Sequence, residues 1–139
     1  MTDLPTSGML EALFPYAATT GAITVRVSVN YMPEQSSPSD KRWFWAYHVR
    51  IENHGDKPVQ LISRHWIIED GDRITAEVKG DGVVGEMPVI APGQSHDYVS
   101  GCPLDTATGS MQGSYQMIDA DGQGFEVAIP LFELEAPRA

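Results

Sequence analysis

Ile23, Val25, Val27, Val29 and Tyr31 alternate with Thr24, Arg26, Ser28 and Asn30, and this alternation restricts the fold more than any other feature of the chain. In an extended strand, successive side chains point to opposite faces, so a period of two marks a strand with one face on a core. The same period returns between Arg42 and Asn53, where Trp43, Trp45, Tyr47, Val49 and Ile51 hold the alternate positions. Val59 to Glu69 is a third β-rich run, with apolar residues on both parities, as expected of a central strand.

The punctuation between the runs is that of an antiparallel protein. Pro33 to Lys41 is a polar loop, and Asn53-His54-Gly55-Asp56 is a turn. Asp70-Gly71 separates Val59 to Glu69 from Arg73 to Lys79, and Asp121-Gly122 separates Met111 to Asp119 from Phe125 to Leu134. Both pairs match the chemistry of two-residue hairpin turns. Pro88 and Pro92-Gly93 bracket a loop that leads to a short strand over Ser95 to Ser100. Pro130 lies inside the last run and predicts an edge or a bulge there, because proline donates no ladder hydrogen bond.

No segment carries a helical stripe of any length, and 13 Gly and 10 Pro would interrupt the helices of a bundle. The reading is all-β: an antiparallel sandwich of about seven strands. Residues 1–21 mix Pro5, Gly8 and Pro15 without a sustained period and read as a loosely held leader, with at most a helical turn at Met9 to Phe14. The sandwich domain is expected over 22–135.

Charge narrows the function. Lys plus Arg number 9 against 19 Asp plus Glu, a net charge of −10, so phosphate backbones and anionic lipid surfaces are repelled and neither nucleic acid nor membrane is expected as a partner. Cys102 is the one cysteine, which precludes an intrachain disulfide and fits a reducing, cytoplasmic setting. No apolar run approaches the roughly 20 residues of a membrane span.

Several residue groups have the types that chemistry uses. Gly80-Asp81-Gly82-Val83-Val84-Gly85 has the G-x-G-x-x-G spacing of a pyrophosphate loop. Glu86-Met87-Pro88 leaves no room for the helix whose N-terminus would hold the phosphates, so a structural glycine loop is expected. His48 and His65 lie on runs that neighbouring strands would bring together, with Glu52, Glu69 and Asp70 close in sequence, and they are the candidate cation ligands. Ser95-His96-Asp97 has the residue types of a catalytic triad, but adjacent strand residues face opposite ways and cannot form the relay. Asp119-Ala120-Asp121-Gly122 has its glycine too early for a calcium loop and reads as a turn, and Cys102 reads as an inert thiol. Arg64 and Trp66 share one strand face, either in the core or as anchors for a partner.

Taken in order, these residues resemble the ApaG (CorD) family. The resemblance rests on Val49-Arg50-Ile51-Glu52-Asn53, on Val59 through Ile68, on Gly80 through Pro88, on Gly109-Ser110-Met111-Gln112-Gly113-Ser114-Tyr115-Gln116-Met117, and on Phe125-Glu126-Val127-Ala128-Ile129-Pro130. It implies a fibronectin type III-like, immunoglobulin-like sandwich and no established enzymatic activity, cofactor or catalytic residue. The bacterial family is associated with cobalt resistance and magnesium efflux, and related eukaryotic domains occur in F-box and DNA-polymerase-interacting proteins.

The expected function is therefore a non-catalytic module that binds a protein partner, docking through Gly80, Gly82, Gly85 and Glu86 with Arg64 and Trp66 as anchors. The alternative is direct binding of a divalent cation or a polyphosphate. The sequence leaves a homodimer open.

Overall fold

The structure, a computed structural model, describes residues 7–71 and 73–137, without the side chains of Ser7, Ile74 and Thr75. Among them, a short helix α1 (Ser7–Leu13) precedes nine strands: β1 (Tyr16–Thr20), β2 (Ile23–Tyr31), β3 (Trp43–Asn53), β4 (Val59–Asp70), β5 (Arg73–Asp81), β6 (Val89–Ile90), β7 (Ser95–Leu104), β8 (Thr108–Ile118) and β9 (Gly124–Glu135). All pairings are antiparallel. One sheet has the order β1-β2-β3-β7, the other β5-β4-β8-β9, and β6 joins β4 beyond the end of β5. The antiparallel sandwich expected from the alternation, immunoglobulin-like as the resemblance implies, is the observed fold.

The alternating residues of β2 and β3 line the core as their period requires. Ile23, Val25 and Val27 are buried opposite Trp45, Tyr47, Val49 and Ile51 of the neighbouring strand. β4 is central, between β8 and the β5/β6 flank, but its two apolar parities have a different origin from burial on both faces. A bulge between Leu61 and Ser63 shifts the register, so that Leu61 and Trp66 both turn inward although their numbers differ in parity. A second bulge, between Met111 and Gly113 of β8, faces Pro130 and Leu131 of β9 and does the same for Ile129 and Phe132. Pro130 thus lies both on an edge strand and in a bulge.

The strand count and the N-terminal boundary differ from the sequence reading. β6 is too short to carry a period. β1 lies inside the supposed leader, yet it pairs along its whole length with β2, and Leu10 and Phe14 are buried against the first sheet. The mixed residues of 7–21 are held by docking onto a preformed sheet, which leaves no periodic signature of its own; residues 1–6 lie outside the described residues. The two hairpins also differ from each other. Asp70 pairs with Arg73, leaving two residues in the turn. Asp119 to Gln123 form a longer loop, in which the Asp119 carboxylate accepts hydrogen bonds from the Asp121 and Gln123 amides.

Gly113 marks the closest approach of the two central strands: a Cβ placed there would lie 1.9 Å from the His65 carbonyl oxygen. We expect Gly113→Ala to lower stability by about 1–3 kcal/mol through backbone displacement, measured by urea denaturation. A variant as stable as the parent would show that β4 and β8 are farther apart.

Candidate functional site

The glycine loop follows β5 and closes on its own backbone. The Gly82 amide donates to the Ile62 carbonyl at 2.7 Å, Val83 donates to Glu86 at 2.8 Å, and Glu86 donates back to Val83 at 2.9 Å. The last two bonds enclose Val84 and Gly85, with φ of 47° and 77°, in a tight reverse turn. Gly82 is obligatory as well, since φ is 62° and a Cβ would lie 2.2 Å from the Glu86 carbonyl oxygen. The Gly82, Val83 and Glu86 amides are committed to the chain's own carbonyls, and the loop is the structural one expected.

Arg64 holds the loop from inside. Its Nη1 donates to the carbonyls of Asp81 at 3.0 Å and Gly82 at 2.8 Å. Gly80, its partner across the β4–β5 ladder, has no side chain in the way, and a Cβ there would lie 3.0 Å from the guanidinium. Arg64 also faces three tyrosines. Burial pushes Tyr98 and Tyr115 upward from the usual phenol range, their hydroxyls bond to each other, and Tyr47 is raised by burial too. All three therefore stay protonated as donors or acceptors inside the sandwich.

Trp66 does not reach the surface. It is 3% exposed, packed edge-on against Tyr47 at 5.5 Å and Phe132 at 5.9 Å between ring centroids. This corrects its candidacy as a partner anchor: the face it shares with Arg64 is the core face.

The two candidate cation ligands are also separated. β3 and β4 belong to different sheets, so His48 and His65 lie on opposite outer faces of the sandwich. His48 Nε2 is 2.9 Å from Asp97 Oδ1 and stacks edge-on with Phe14, while His65 Nε2 is 2.6 Å from Glu77 Oε1. Asp70 caps the Asp105 and Thr106 amides, and Glu69 accepts from Ser110. Among the described residues no three His, Cys, Asp or Glu side chains gather as a metal group would. Sequence proximity suggested a cluster because the β3–β4 connection crosses between sheets, which spacing does not reveal.

Two polar features escaped the sequence reading. Glu52, 4% exposed, accepts from Arg50 Nε at 2.8 Å, Arg26 Nε at 3.1 Å and His54 Nε2 at 3.0 Å, with Leu10 of α1 over the same region. Burial opposes its charge, but the bonds from Arg50, His54 and Arg26 prevail and hold the carboxyl below the ordinary 4.5. The buried Asn53 side chain donates to the Lys57 and Ile90 carbonyls and accepts from the Gly55 amide, fastening the β3–β4 turn to β6. Burial pushes the Cys102 thiol up to about 11, in keeping with an inert residue.

Residues 33–119 match the model of the ApaG domain. The chain belongs to the ApaG family. Protein ApaG of Pseudomonas aeruginosa is 57% identical over 117 residues, which span 84% of this chain and 93% of that protein. Protein ApaG of Bradyrhizobium sp. is 53% identical over 122 residues, 88% of this chain and 94% of its own. The crystal structure of the ApaA protein from Bordetella pertussis superimposes with a TM-score of 0.80 at 50% identity, covering 84% of this chain and 95% of that one. The family's match includes the whole glycine loop.

Two outcomes test this geometry. Trp66→Ala should cost about 3–5 kcal/mol, the penalty for removing a large buried aromatic, and a near-parental melting temperature would return the residue to the surface. For Glu52, whose folded pKa is depressed, the stabilisation is complete above the unfolded value of 4.5 and is lost as pH falls through the lower folded value. Stability measured against pH should therefore drop on the acid side below about 4.5, and Glu52→Gln should flatten that limb while reducing stability at neutral pH; an unchanged acid limb would refute the assignment.

Proposed function

We propose that this ApaG-family chain is a protein-binding module without catalytic activity, acting in divalent-cation homeostasis through the partner it holds. The observation that carries the reading is the closure of the glycine loop. The Gly82, Val83 and Glu86 amides bond to the chain's own carbonyls, so the loop presents side chains more than a cradle of donors, a surface suited to another protein. The residue types that chemistry would use support the same view, since His48 and Glu52 on one outer face and His65 on the other are each engaged by neighbouring side chains. Among the described residues no helix is long and apolar enough to cross a membrane. The reading takes the cytoplasm as the compartment, where a lone buried thiol needs no partner.

Glu86, exposed beside the turn, is the residue to change. Immobilised wild-type chain should retain a defined protein from bacterial cytoplasm, and Glu86→Lys should weaken that retention about tenfold or more, equivalent to ~1.4 kcal/mol, at an unaltered melting temperature. Calorimetric titration with cobalt, magnesium and diadenosine tetraphosphate covers the direct-ligand alternative. Saturable low-micromolar binding of any of them to the wild-type chain would replace the protein-binding reading.

A further inference from the structure

Val84, Met87 and Val89 are 65%, 44% and 64% exposed, three large apolar side chains within six residues. Val84 is the least expected of them. The turn it enters requires positive φ at both central positions, where asparagine, aspartate and glycine are usual, and its own φ is 47°. A β-branched side chain in the left-handed region crowds its own backbone. Nothing inside the chain offsets this, because the Val84 side chain projects into solvent. Strain kept at an exposed position, with an apolar group at its tip, is the mark of a contact residue.

The way a partner could meet this tip is limited. Pro88 has no amide hydrogen, its carbonyl already accepts from the Leu61 amide at 3.0 Å, and the Met87 carbonyl accepts from Gln60 Nε2 at 3.0 Å. Pro92 follows β6. Strand addition along this segment is blocked, so recognition falls to side chains.

Charge defines the partner's chemistry. Asp81 and Glu86 flank the tip, both exposed, and residues 80–137 contain no Lys or Arg. The chain as a whole carries a net charge of −10. With the Arg64 guanidinium turned onto the Asp81 and Gly82 carbonyls, an apolar knob flanked by the Asp81 and Glu86 carboxylates complements a segment whose apolar residues are interspersed with Lys and Arg.

We propose that Val84, Met87 and Val89 form the docking knob of this chain and that its partner presents an amphipathic, basic protein segment. The proposal rests on the protein-binding reading above and specifies its site. The probes are three synthetic peptides of equal length that alternate Leu with Lys, Leu with Glu, and Ser with Lys. The Leu/Lys peptide should bind saturably, the Leu/Glu peptide should not, and Ser/Lys should bind at least about tenfold more weakly.

Val84→Asn and Met87→Ser keep the charge and should each weaken Leu/Lys binding about tenfold. Val84→Asn should at the same time raise the melting temperature, by about 3–5 °C, because asparagine tolerates the left-handed turn. Equal binding of Leu/Lys and Ser/Lys, or Leu/Lys binding indifferent to both substitutions, overturns the knob. So does a lower melting temperature for Val84→Asn, which removes the strain argument. A wild-type dimer that Val84→Asn dissociates assigns the knob to a second copy and overturns the proposed partner chemistry. Retention of a cytoplasmic protein undiminished by both substitutions defeats this site and leaves the protein-binding reading standing, whereas no retention by the wild type defeats both.

Discussion

Three rings join the two sheets: Tyr47 from β3, Trp66 from β4 and Phe132 from β9, each within 6 Å of the other two by ring centroid. Their contact decides much of what surrounds them. For Trp66 and Leu61 both to reach the core, β4 must slip by one residue, and the bulge at Ile62 provides the slip. For Phe132 and Ile129 to do so, β9 must slip at Pro130 and Leu131. The first bulge has a further effect. The bulged residue also anchors the glycine loop, because its carbonyl, on the β5 side, is the acceptor for the Gly82 amide. The glycine loop is thus fastened to a defect that the aromatic contact makes necessary. Arg64, two residues before Trp66 on the same inward face, completes the attachment from below.

The parts of the fold that were legible in the chain are those where one residue determines one direction. Ile23 to Tyr31 and Trp43 to Asn53 alternate without interruption, and both strands follow. Pro130 announced its bulge because proline leaves a ladder position without a donor. The bulge at Ile62 carries no comparable signal, since any residue can occupy it, and the two parities of β4 were explained by burial on both faces instead. β1 was missed for a related reason: Tyr16 to Thr20 contributes little to the core by itself, and its order comes from β2.

The site divided in the same way. The absence of a helix after Gly85 was sufficient to reject a phosphate cradle, since it follows from Pro88 alone. Whether Trp66 was core or surface depended on which face of β4 turned inward, a question that only the partner sheet answers. His48 and His65 looked like neighbours because they are close in sequence and on adjacent runs, but the chain crosses the sandwich between them. Glu52 gave no sign of burial in the sequence. Its neutralisers come from Arg26 on the paired strand and from Arg50 and His54 two residues away on either side, and α1 then covers the region. A carboxylate so enclosed demands that its three donors remain in place.

The last strand has a consequence for how such a domain can be joined to others. The Trp45 indole donates to the Glu135 carbonyl at 3.1 Å, holding the end of β9 beside the start of β3, and Thr108 next to it receives the Gly71 amide. That is the pole of the sandwich opposite the Asn53 turn and the Val83–Glu86 turn, which lie with β6 at the other end. The chain leaves β9 at that pole, where the Ala136 amide donates to the Ala107 carbonyl at 2.8 Å, and not beside the glycine loop. The domain can in consequence be carried at the N-terminal side of a longer protein, or tethered to a support by its C-terminal end, with that loop still open to whatever approaches it.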